Sequence, residues 1–284
     1  MMFKMKVWWM VTAAVVVVGC HKEPALLRQV NKERLIQAIQ QALLQSVVAE
    51  KSAVLATSDE ESQALALEAQ HSTTDINRLR DELRPRIVAD AHPEEIDALN
   101  KFDAAWTEFE DVDHRLLALA VANTNLKAAR LSARDGAAAL DRFVDAVSDM
   151  QRGAADPETI RTLSQASVAA LRVQSALLIH IPSADEAEMT RLEQHMRELS
   201  DEVDRSLVRT RETNQLAAEP LAKAAAAWSE YRGVTVDVLR LSRQNSNVIS
   251  FDVSVHEKRQ ATKQCLAALS ALLAAVESAP QATR

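Results

Sequence analysis

The chain has 284 residues, 26% of them charged, and a formal net charge of −7. A surface of that sign repels phosphate backbones and argues against nucleic acid as a partner. Two cysteines and four glycines leave no disulfide framework and little of the turn chemistry that β-hairpins need.

The chain opens with Lys4 and Lys6, and an apolar run follows from Val7 to Val18. The run is too short to span a bilayer, which takes ~20 residues. A basic start, a short apolar run and a small residue at the cut describe a secretory signal over 1–19. The ending Val17-Val18-Gly19-Cys20 resembles the lipobox of bacterial lipoproteins. It implies that Cys20 carries lipid and that 20–29 is a lipidated tether; an ordinary signal peptide or a weak uncleaved anchor is the competing reading. Two or more acyl chains hold a protein at a membrane durably. His21, in the place of an Asp, favours the periplasmic face of the outer membrane over the inner membrane. Cys265 is then the remaining thiol, and its stripe of Phe251, Val255, Thr262, Leu269, Leu272 and Val276 makes it a buried, inert one.

Beyond the leader, alanine and leucine dominate and prolines punctuate long segments of helical periodicity. A first helix is expected from about Val30 to Ala56. Ser58-Asp59-Glu60-Glu61 reads as a capping box opening a second helix that ends before Pro85. The stretch from Pro85 to Pro93 reads as a loop. A third helix carries Leu99, Phe102, Trp106, Phe109 and Asp113. A polar turn at Asn123-Thr124-Asn125 leads to a fourth, with Leu126, Ala129, Ala133, Gly136, Leu140 and Phe143 on its stripe. The plan then repeats. A helix spans Glu158 to His180, and Ser183-Ala184-Asp185-Glu186 is the second capping box. Pro220 opens the helix of Trp228, and Asn245-Ser246-Asn247 is the matching turn.

Shifting the chain by 122 residues superposes the halves. Eleven of the 28 positions from 99 to 126 are identical, among them Trp106 with Trp228, Glu108 with Glu230, and Asn123 and Asn125 with Asn245 and Asn247. The expected fold is therefore all-α: two tandem up-down antiparallel four-helix bundles of eight helices, over 30–152 and 157–279. Each Trp lies on the seam of its third helix and fills a core.

The Trp-x-Glu-Phe/Tyr pattern on a third helix, the polar turn and the Ala/Val-rich fourth helix resemble the four-helix-bundle sensor domain of methyl-accepting chemotaxis receptors. The resemblance covers each half once, roughly 30–152 and 158–279, and two stacked bundles are similar to the bimodular variant. It implies ligand sensing or interaction. A second span and a methylated signalling hairpin do not occur in these residues. The paired arginines that hold carboxylates in such sensors have no counterpart here, so the resemblance assigns no binding residue.

No constellation of catalytic side chains converges, and no enzyme, cofactor or metal is expected. Glu68-Ala69-Gln70-His71 matches one half of a di-iron motif, and Asp111-Val112-Asp113-His114 is a looser echo. Neither histidine falls on its helix seam. Asp113 does fall on a seam, facing Ala69, Ala133 and Gly136, where Thr235 stands in the second unit. A buried charge is costly unless paired. Asp113 is thus either part of a small polar pocket for a cationic or hydroxylated solute, or a structural residue beside water or a frayed helix. Asn123 and Asn245 are turn formers or ligand contacts. The function expected is a membrane-tethered envelope lipoprotein whose sensor-like bundles bind a small solute or a partner protein. The alternative is a structural or assembly lipoprotein that docks onto an envelope complex without a small ligand.

Overall fold

The computed structural model describes residues 24–213 and 218–279, so the leader and Cys20 lie outside the described residues. What it describes is all-α, without strands. The helices are α1 (Ala25–Leu55), α2 (Asp59–Asp90), α3 (Pro93–Ala122), α4 (Thr124–Leu131), α5 (Ala137–Gly153), α6 (Pro157–His180), α7 (Glu186–Glu212), α8 (Ala218–Gln244), α9 (Ser246–Val253) and α10 (Arg259–Ser278). Two π-turns, π1 (Ser132–Gly136) and π2 (Ser254–Lys258), join α4 to α5 and α9 to α10. None of the described helices is long and apolar enough to cross a membrane.

The expected eight helices resolve into six rods. At Asn123 and Asn245 the chain does not reverse. A single residue in the left-handed region, φ 50° and 52°, interrupts each rod, and the helix resumes at once. Asn tolerates this conformation better than most residues. A reversal between antiparallel helices takes a loop of two residues or more, and none is present. The rods α3–α5 and α8–α10 are each about 90 Å long at 1.5 Å per residue.

These two rods run antiparallel along their whole length. Asp113 meets Lys258, Cys265 meets the Ala105 carbonyl, Phe143 meets Trp228 and Arg142 meets Glu230. Where they cross, the repeat copies bond to each other. Thr124 N donates to Ser246 Oγ and Ser246 N to Thr124 Oγ1, both at 3.0 Å. Asn125 N and Asn247 N donate to each other's side-chain oxygens at 3.1 Å. The amides freed by each break are thereby satisfied by the other half.

The consequence is an exchange of fourth helices. One group unites α1, α2, α3 and α10 around Phe102, Trp106, Phe109, Leu269 and Leu272. The other unites α5, α6, α7 and α8 around Phe143, Leu163, Val173, Trp228 and Tyr231. The expectation that each half closes on its own fourth helix is corrected here. Each Trp does fill a core, as expected: Trp106 and Trp228 are buried, stacked on Phe109 and Tyr231.

Three local expectations also change. Helix α2 runs through Pro85 to Asp90. An interior proline costs ~3 kcal/mol, but Leu83 and Ile87 on either side are fully buried, and Asp90 binds Lys32 and Arg28. The second cap is Asp185, not Ser183, and accepts from the amides of Ala187 and Glu188. Finally, each π-turn adds a residue and shifts the face. Ala128 and Ser132 are therefore buried where Ala129 and Ala133 were expected, and Phe251 turns outward.

Candidate functional site

A polar layer divides the core of the first group. Below it lies the Trp106 cluster; above it a second apolar cluster holds Ala53, Ala66, Ala69, Leu116 and Val253. The layer consists of Ser46 and Glu50 on α1, Asp113 on α3, and Ser254 and Lys258 on π2. Lys258 donates to Asp113 and stands 3.1 Å from the centre of the Phe109 ring. Such a cation–π contact adds about 0.5–2 kcal/mol. Glu50 is fully buried, and neither of its oxygens has a hydrogen bond of good geometry; nor has the Ser46 hydroxyl one turn earlier. Burial raises the Glu50 pKa, and the nearby Ser254 hydroxyl and Lys258 ammonium offset this only in part. Burial likewise pulls Lys258 down to about 8, against the opposing attraction of Asp113.

The second group holds the same layer in neutral form. By the 122-residue shift, Tyr231 stands for Phe109, Thr235 for Asp113, Ser132 for Ser254 and Gly136 for Lys258. Gln174 on α6 takes the part of Glu50. Tyr231 donates to Gln174 Oε1 at 2.9 Å, and Gln174 Nε2 donates to Ser132 at 3.1 Å. Thr235 donates to the Tyr231 carbonyl. A Cβ at Gly136 would lie 3.6 Å from Val234 and 3.9 Å from Tyr231, so those side chains already occupy the space next to the backbone there. With no charge to separate it, the second core is continuous. Both layers sit on a π-turn, a distortion frequent at functional sites.

A groove reaches each of the two layers. The backbones of α7 and α8 stand apart, bridged where Trp228 and Arg232 donate to Asp204 and Arg243 donates to Glu193, and a groove of about 400 Å³ opens between them. Tyr231 and Thr235 form part of its floor with Val173 and Met196, and Glu193, Arg197, Asp201 and Arg232 line its rim. A matching groove of about 380 Å³ between α2 and α3 reaches Asp113, His114 and Asn77. There Asn77 is held by the Trp106 indole and by Glu110.

The residues singled out by sequence have these places. Asp113 is buried and its carboxylate is taken by Lys258 from the exchanged helix. Ala133 is exposed and Gly136 lies in the other group, so neither faces Asp113 as expected. The Asn123 amide donates to Ser62 and its carbonyl accepts from Asn247; the Asn245 amide donates to the Ser183 carbonyl and its oxygen accepts from Asn125. These bonds commit both residues to the crossing. His71 and His114 are exposed on separate helices. Among the described residues no three His, Cys, Asp or Glu side chains are placed to hold a metal. Cys265 is buried, and burial pushes its thiol up to about 12.

One cluster has the connectivity of a hydrolytic triad. His180 Nδ1 lies 2.9 Å from Ser242 Oγ, and Nε2 lies 3.1 Å from Glu193 Oε1. Ser242 is fully buried, however, and its hydroxyl also reaches the His180 carbonyl at 3.3 Å. No substrate carbonyl reaches such an oxygen. Burial lowers the His180 pKa, so the ring is neutral at pH 7 and fastens α6 to α7 and α8.

Glu50 and Gln174 were not among the sequence candidates, and Lys258 was expected at the level of Thr235 in the second unit rather than beside Asp113. Their signal is faint: a Ser precedes by four residues both Lys258 and its repeat counterpart Gly136. Comparison with protein-family models, curated proteins and solved structures finds no match, so the functional reading rests on geometry.

Proposed function

We propose that the chain is a lipid-anchored binding module of the bacterial cell envelope, without catalytic activity, and that it takes a small solute between helices of the second group. The two helix groups then act as two four-helix bundles sharing exchanged fourth helices, in keeping with the resemblance to chemotaxis-receptor sensors. Lipid on Cys20 holds the α1 end at the membrane, on the periplasmic face of the outer membrane.

One observation carries the reading: a polar core layer, Tyr231 and Thr235, forms the floor of an open groove between α7 and α8, whose backbones stand apart and are bridged by long side chains at Asp204 and Glu193. Elsewhere in the groove the floor is apolar and the rim charged, the usual make-up of a small-molecule site. A hydroxylated or cationic solute suits Thr235 and the carboxylate of Asp201, Glu193 being already bonded to His180 and Arg243.

The test is a melting screen of the chain from residue 21 against small amines, polyols and sugars. A solute at a hundred times its Kd stabilises by ~2.7 kcal/mol, a shift of roughly 5–10 °C for a chain of this size. Thr235→Val should remove the shift while leaving the unliganded Tm within a few degrees. A flat response across the screen would count against the reading and in favour of docking. The docking reading draws on a specific feature, the exposed apolar stripe of Val168, Leu171, Leu178 and Ile179 on α6.

A further inference from the structure

We infer that Glu50 is a proton-binding site of the first helix group: it carries a proton at neutral pH, and its ionisation draws Lys258 from Asp113 and loosens the exchanged helix α10 from α3.

The geometry sets a charge imbalance. Two buried carboxylates, Glu50 and Asp113, share one ammonium, and that ammonium is bonded to Asp113. Neither Glu50 oxygen has a hydrogen bond of good geometry, the Ser254 hydroxyl being the one donor beside it apart from Lys258, and the Ser46 hydroxyl next to it also lacks a partner. An ionised carboxylate without donors is among the costliest groups to bury, and it is relieved by taking up a proton. The neighbours supply little else. From π2 come Ser254 and Lys258, from α3 comes Asp113, and on α1 itself lies Lys51. Helix α2 contributes Ala66, Ala69 and the partly buried Leu65, all apolar, to the cluster adjoining the layer. The raised pKa of Glu50, with burial as its main cause, agrees with this picture.

Protonated, the layer holds one neutral acid and one balanced ion pair. When Glu50 gives its proton to solvent, the layer becomes net negative and Lys258 is pulled toward two carboxylates. Lys258 opens the exchanged helix, so this pull acts on the tie between the rods. The second group has Gln174 in the equivalent place, which cannot titrate, so the response is confined to one end of the molecule.

The sign is fixed by the shift. A carboxyl whose folded pKa is raised contributes stability that is complete below its unfolded pKa and lost as pH rises through the folded pKa. Melting of wild type and Glu50→Gln is compared from about pH 4 to about pH 7, below the Lys258 pKa of about 8. The difference between the two should be smallest near pH 4, and the wild type should fall progressively relative to Glu50→Gln as pH rises. A difference that stays constant, or a wild type that gains on the variant with pH, would overturn the proposal. Should Glu50→Gln fail to fold, the Glu50 carboxyl carbon in the wild type is followed by NMR. A titration midpoint above neutral pH supports the proposal, and a midpoint below it sinks it.

Discussion

Replacing Asp113 by leucine is the sharpest probe of the buried charge layer. Removing one partner of a buried ion pair costs ~3–5 kcal/mol when the other is left as an orphan charge. Two features reduce that figure here. Glu50 lies in the same layer and can accept the Lys258 ammonium. Lys258 can also lose its proton: its pKa is already down to about 8 with Asp113 beside it, and removing Asp113 takes away the main group that holds it up. Asp113→Leu alone should therefore destabilise by ~1–3 kcal/mol, a fall in Tm of roughly 2–12 °C. Adding Glu50→Gln removes the second acceptor, and the double variant should lose more than the sum of the two singles. Adding Lys258→Met to Asp113→Leu should instead recover much of the loss, because an apolar pair replaces an orphan charge. Calorimetry of the four variants at pH 7 reads all of this. If Asp113→Leu melts at or above wild type, and Lys258→Met brings no recovery in that background, the salt-bridged layer does not exist as described.

Two further outcomes follow from the exchange and the leader. Residues 24–156 expressed alone carry α3–α5 but lack the α10 that completes their core, so they should form an antiparallel dimer through Asn123–Asn125; light scattering after gel filtration reads the mass, and a stable folded monomer would contradict the exchanged arrangement. Cys20→Ser should release the protein from the membrane fraction and abolish fatty-acid labelling; equal labelling in wild type and variant would remove the lipid anchor from the proposal.

Much of the architecture could be read from residue order. Local periodicity exposed most helices, because burying one face of a helix imposes a 3.6-residue spacing whatever its partner is. The 122-residue repeat and the two tryptophans located both cores. Caps were legible where the chemistry is local, as at Ser58, whose hydroxyl accepts from the Glu61 amide. Pro85 misled because a local cost was outweighed by distant partners, Leu83 and Ile87 against α1. The stripes of the fourth helices slipped by one residue before each π-turn, since a π-turn leaves no mark in composition.

The sequence by itself determined that the chain is helical and doubled, and that it carries a seam carboxylate at Asp113 where its repeat has Thr235. Only the tertiary structure decided which fourth helix serves which core. The choice turns on one backbone residue in each rod, Asn123 and Asn245, and on whether the chain there reverses or continues. Periodicity is the same in both cases, because a helix buries the same stripe against its own half or the other. Reciprocal hydrogen bonds between Thr124 and Ser246, and between Asn125 and Asn247, accompany the continuing path and bring Lys258 to Asp113 across 145 positions of sequence.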